Sequence, residues 1–152
     1  MIKKRSFALA GALLSLSLLL AACAPANKDG TEYTITVNTD TLVLFTAPEG
    51  IATDSLKTYL DGLAQAGEIT YTMENGMITS LNGKENVSGA SSGSFWMLYS
   101  DLTELDGVTY ADPTFGTYTY DGEQLASCSY GAEGMPVVEG YTYAIVYEEV
   151  EW

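Results

Sequence analysis

No histidine occurs anywhere in the 152 residues. Its absence removes the commonest general base and the commonest metal ligand together. Cations are scarce as well, with six Lys and Arg facing 20 Asp and Glu. Such an acidic chain is repelled by phosphate backbones and anionic headgroups, which excludes nucleic acid as a partner and argues against a basic membrane-binding patch. The only cysteines are Cys23 and Cys128, too few for a disulfide framework. No internal repeat is evident.

What is present begins with a compact positive segment, Met1-Ile2-Lys3-Lys4-Arg5, followed by an apolar stretch over residues 7–20 that is broken only by Gly11, Ser15 and Ser17. A spanning helix needs about 20 predominantly apolar residues with flanks on both sides. Here the run ends in Ala21-Ala22-Cys23-Ala24-Pro25, which is the shape of a signal peptide. Leu20-Ala21-Ala22-Cys23 resembles the lipobox of bacterial lipoproteins, whose cysteine receives a thioether-linked diacylglycerol before cleavage in front of it. The alternative is an ordinary secretory signal that happens to contain a cysteine. The resemblance implies a signal peptide over 1–22 and a lipid-anchored spacer over 23–30. The partner is then the membrane, through palmitate-type chains on Cys23, and the location is the outer face of a bacterial cytoplasmic membrane. Each buried methylene contributes about 0.8 kcal/mol, so two or three chains hold firmly where one would not.

Cleavage removes Lys3, Lys4 and Arg5, leaving Lys28, Lys57 and Lys84 against all 20 acidic residues, a net charge of −17. With Cys23 lipidated, Cys128 has no partner within the chain. A Cys23–Cys128 bridge is the intramolecular alternative. The alternation of 125–130 makes Cys128 a half-buried strand position rather than a reactive thiol.

Residues 31–152 read as one domain. Tyr33, Ile35 and Val37 alternate with polar residues as in a strand with one buried face, and 41–46 gives a second, more apolar strand. Leu56, Tyr59, Leu60, Leu63 and Ala64 follow at helical spacing, with Thr53 or Asp54 as N-cap and Gly67 in the left-handed position after the helix. Asn75-Gly76 is a type I′ turn signal between strands 68–73 and 77–81. Residues 84–94, rich in Ser, Gly and Asn, read as an exposed loop. Phe95-Trp96-Met97-Leu98-Tyr99 reads as a central strand, 100–116 as irregular, and 116–120, 124–130 and 141–147 as further strands. One helix against several strands is an α+β layout.

Candidate chemistry is thin. Gly89-Ala90-Ser91-Ser92-Gly93 matches G-x-S-x-G, but a nucleophile elbow needs a strand before it and a helix after it, and no histidine can activate Ser91. Paired carboxylates could serve a glycosidase, yet with 20 acids spacing cannot select a pair. Asp101, Glu104, Asp106 and Asp112 are hard ligands suited to calcium but lack EF-hand order, so they read as a solvated acidic loop and no metal is implied. On the last strand Tyr141, Tyr143, Ile145 and Tyr147 share one face. Exposed, that face would be an amphipathic platform; buried, it is core.

Met73-Glu74-Asn75-Gly76-Met77-Ile78-Thr79-Ser80-Leu81-Asn82-Gly83, then Phe95-Trp96-Met97-Leu98-Tyr99, then Val138-Glu139-Gly140-Tyr141-Thr142-Tyr143 resemble, in that order, the transcobalamin C-terminal-like domain of bacterial surface lipoproteins. The resemblance spans roughly 32–148. It implies a β-grasp-like mixed sheet packed on one main helix. It also implies a non-enzymatic binding module without a cofactor of its own, for a soluble cobalamin-like ligand. Trp96, Tyr99, Ser91 and Ser92, with the loop 84–94, are the ligand-binding candidates beside the lipidation site Cys23. The alternative is a protein-interaction or structural module of the cell envelope, presenting its acidic, tyrosine-rich surface to an envelope protein.

Overall fold

The computed structural model describes residues 32–51 and 54–152. The expected signal peptide, Cys23, the spacer 23–30 and the N-cap candidate Thr53 lie outside the described residues. The elements run β1 (Val37–Asn38), β2 (Leu42–Thr46), β3 (Asp54–Ser55), α1 (Leu56–Gln65), β4 (Tyr71–Glu74), β5 (Met77–Leu81), β6 (Lys84–Glu85), β7 (Val87–Ser88), β8 (Ser92–Ser100), β9 (Glu104–Leu105), β10 (Val108–Thr109), β11 (Ala111–Tyr120), β12 (Glu123–Cys128), β13 (Pro136–Val137) and β14 (Thr142–Glu151).

The three most apolar stretches become neighbours. The main sheet has the order β1-β2-β14-β8-β12-β11, with β7 added to β8. Its central strands read as nearly continuous apolar runs because both faces are covered. Val43, Phe45, Trp96, Tyr143 and Ile145 point into the larger core with α1. Leu44, Tyr99, Ala144 and Val146 point the other way, where Leu125, Tyr118 and Tyr120 of the β11–β12 hairpin fold over them.

This corrects the expected fold class. Every strand pairing among the described residues is antiparallel, so the sheet is not mixed, and the molecule is predominantly β rather than a β-grasp packed on one main helix. The reason is one of length. Ten helical residues cover about 15 Å, whereas the ten residues of β14 extend about 33 Å. The helix covers part of one face, and the rest of that core is filled by Ile78 and Leu81 of the β4-β5-β6 sheet and by Ala132, Met135 and Val137.

The helix itself lies close to where the apolar spacing puts it. Its cap is Ser55 rather than Thr53 or Asp54, accepting from the Thr58 N–H at 3.2 Å. The first-turn amides of Leu56 and Lys57 donate to the carbonyls of Met135 and Ala132, so a distant segment completes the helix start. Gly67 has φ 78°, the left-handed conformation expected of it. Gly62, unfavourable inside a helix, leaves room for the Tyr33 ring, which lies where a Cβ would be.

Three other expectations fail locally. The first strand shrinks to Val37–Asn38, because the Tyr59 hydroxyl donates to the Thr34 carbonyl and accepts its N–H, both at 2.9 Å, in place of a strand neighbour. The irregular stretch 100–116 contains the β9–β10 hairpin and the start of β11. Finally, 84–94 is not an open loop but holds β6, β7 and the first residues of β8.

Candidate functional site

Alternation along β8 decides what its aromatic residues can do together. Trp96 and Tyr99 are three residues apart, so they lie on opposite faces of the sheet, and both are 5% exposed. The Trp96 indole N–H donates to the Lys84 carbonyl at 2.8 Å, and the Tyr99 hydroxyl donates to Glu148 Oε2 at 2.6 Å. Burial and the adjacent Glu148 carboxylate push the Tyr99 phenol above its usual range. Ser91 sits in the turn between β7 and β8 and Ser92 opens β8, where the Gly89 N–H donates to the Ser92 carbonyl and the Ser91 carbonyl accepts from the Trp152 N–H. Ser92 and Tyr99 are separated by about 23 Å of extended strand. The four candidates therefore do not converge on one site, and Gly89–Gly93 is a hairpin turn rather than a nucleophile elbow.

What Trp96 does border is the segment 84–86, and that segment is strapped down. Besides the indole bond, the Tyr147 hydroxyl donates to the Glu85 carbonyl at 2.7 Å, and the Lys84 ammonium lies 4.5 Å from the Tyr147 ring centre. Asn86 completes the join: its Oδ1 accepts the Trp96 backbone N–H at 3.0 Å while its Nδ2 donates to the Ile78 carbonyl at 2.9 Å. One amide side chain thus ties the β4-β5-β6 sheet to the main sheet.

Asn86 is needed because β8 lacks a continuous neighbour on that edge. β7 pairs with it at Gly93 and Ser94, and β12 at Tyr99 and Ser100, which leaves residues 95–98 without a strand partner there. The gap opens as a groove of about 310 Å³ between this edge, the tip of the β4–β5 hairpin and residues 127–131. Met77, Phe95, Trp96, Leu98, Cys128 and Tyr130 supply most of its chemistry, and none of its lining residues carries a charge. Met77 is 60% exposed and Tyr130 45%, so the mouth of the groove is open to solvent. Tyr130 also packs against Tyr110, ring centres 5.5 Å apart. Burial pushes the Cys128 thiol up to about 12, so at neutral pH it is a soft apolar wall rather than a nucleophile.

The tyrosine face of β14 is mostly core. Tyr143 is buried, donating to the Pro136 carbonyl and accepting from the Val138 N–H, both at 2.9 Å, and Phe45 stacks between Tyr143 and Tyr59 at 5.2 and 4.1 Å. The acidic cluster is dispersed: Asp101 accepts the Thr142 N–H, Asp112 accepts both donors of Thr114, and Asp106 occupies a turn at φ 52°. Among the described residues no three His, Cys, Asp or Glu side chains are placed to hold a metal.

Sequence reasoning missed one polar cluster. Asp61 on α1 takes Lys57 Nζ at 2.7 Å and the Tyr71 hydroxyl from β4. Burial opposes its ionisation, yet these two donors hold its carboxyl below the usual range. The i,i+4 spacing of Lys57 and Asp61 was legible, whereas Tyr71 arrives only through the tertiary fold. With both Asp61 oxygens engaged, the cluster joins helix to hairpin and has no free base. Comparison with family models, curated proteins and solved structures finds no match to this chain.

Proposed function

We propose that this chain is a lipid-anchored, extracytoplasmic, non-enzymatic binding module whose groove beside Trp96 grips an uncharged, apolar edge of a soluble ligand. The observation that carries the reading is an uncharged groove walled by methionine and aromatic side chains in a chain with 20 acidic residues and only six basic ones. A volume of 310 Å³ is at the small end of ligand sites, which run from about 300 to 1,000 Å³, so the groove grips an edge of a larger molecule rather than enclosing it. Two of the three segments that resemble the transcobalamin C-terminal-like domain meet at this groove, Gly76, Met77 and Ile78 facing residues 95–98. A corrinoid is the ligand class that resemblance names.

Equilibrium dialysis of the lipidated protein in detergent micelles against cobalamin tests the corrinoid version. Saturable uptake that Met77→Glu abolishes supports it, and no uptake at millimolar ligand sinks it. The same experiment with a small neutral aromatic probe separates failure of the corrinoid from failure of the groove.

A further inference from the structure

The far end of the β8–β14 ribbon carries a second surface, which shares Phe95 with the groove but is otherwise built from the end of β14. β14 pairs with β2 only as far as Val146, and the Tyr147 N–H closes that side with a 2.9 Å bond to the Thr41 carbonyl. From Glu148 to Glu151 its strand partner among the described residues is β8 alone. Alternation turns the main-chain N–H and C=O groups of Glu149 and Glu151 the same way as the Tyr147 N–H, outward. A row of unpaired main-chain groups on an exposed strand is a template for another strand.

The side chains define what kind of strand fits. Val150 and Trp152 are 38% and 61% exposed and lie on one face with Phe95, whose ring centre is 6.2 Å from that of Trp152. Glu149 and Glu151 are exposed on the opposite face. The described residues contain two cations; Lys57 pairs with Asp61 and Lys84 with Asp40 at 4.0 Å while lying over the Tyr147 ring, and neither forms an ion pair with Glu149 or Glu151. A second copy of the same edge would set Glu149 and Glu151 against their own kind, which is unfavourable for directly opposed strand residues.

We propose that the open edge of β14 at residues 148–151 binds an extended cationic peptide segment by strand addition, its basic residues facing Glu149 and Glu151 and its alternate apolar residues covering Phe95, Val150 and Trp152. Main-chain bonds supply the attachment, and the period-two side-chain pattern supplies the selectivity.

The probe is an end-blocked hexapeptide of alternating lysine and valine, titrated into the full chain in detergent micelles, with the alternating glutamate and valine hexapeptide as control. Saturable binding of the first and not the second is expected, weakening as salt rises, with slowed amide exchange at Glu149 and Glu151. Glu149→Pro removes one outward N–H while sparing the β8 ladder, and should weaken binding at least tenfold without lowering the thermal midpoint. If that variant is destabilised, Glu149→Gln with Glu151→Gln and the exchange pattern decide instead. The double variant should weaken binding and abolish its salt dependence. Equal binding of the acidic peptide, no saturable binding, or binding without protection of the two amides overturns the proposal.

Discussion

The Trp96 indole N–H and the Lys84 carbonyl meet at 2.8 Å across the boundary between the main sheet and the β4-β5-β6 sheet. The bond makes Trp96 a fastener of the groove wall rather than an exposed ligand platform. Trp96→Phe keeps most of the apolar volume but removes the indole donor to that carbonyl, which keeps its hairpin partner Leu81. It should destabilise the protein by about 1–2 kcal/mol in chemical denaturation and speed amide exchange over 84–86. Unchanged exchange there would show that Asn86 and Tyr147 suffice.

Gly62→Ala sets two effects of opposite sign against each other. Helix propensity favours alanine by about 1 kcal/mol, but the new methyl enters space held by the Tyr33 ring, and such overpacking costs about 1–3 kcal/mol. The net effect should be destabilising. In a Tyr33→Ala background the same substitution should become stabilising, and this reversal, read from a double-mutant cycle, is the diagnostic result.

Cys128, with its thiol pushed up to about 12, should resist alkylation by iodoacetamide at pH 8 in the folded protein and react readily once denatured. Burial raises the phenols of Tyr59, Tyr71, Tyr99 and Tyr143 as well, with the Asp61 and Glu148 carboxylates adding to it at Tyr71 and Tyr99. A raised acid is kept neutral by the fold. These groups therefore contribute stability that is fully present below their unfolded values of 9.0 and 10.0 and lost as pH rises above them. A thermal midpoint that stays level from pH 8 to pH 11 would contradict this.

Cys23→Ser should release the protein from the membrane or leave it unprocessed, as judged by fractionation and mobility in gels. Firm membrane retention of a normally cleaved product would overturn the lipid anchor.

The four two-residue turns show how far local chemistry reaches. Asn75-Gly76, Asn82-Gly83, Asp106-Gly107 and Asp121-Gly122 all pair a positive φ near 50° with one near 80°, and each closes a tight hairpin. The Asp-Gly signals at 106 and 121 were as legible as Asn75-Gly76. Reading the first of them would have turned the irregular stretch 100–116 into a hairpin and a strand. Asn86 was not legible at all, since its importance comes from a gap between β7 and β12 that no local pattern records.

Periodicity and turn chemistry, acting over a few residues, were enough to determine the helix around 56–65, the apolar central strands, the hairpin at Asn75-Gly76 and the half-buried place of Cys128 in its strand. The same alternation already separated Trp96 from Tyr99, because a strand sends residues three apart to opposite faces. Only the tertiary structure decided that both faces of the sheet are covered, that every pairing among the described residues is antiparallel, and that an uncharged groove opens beside Trp96. Those outcomes depend on which distant strands become neighbours and where their pairing stops. That is a balance of packing and backbone hydrogen bonding summed over the whole chain, and no short window of sequence contains it.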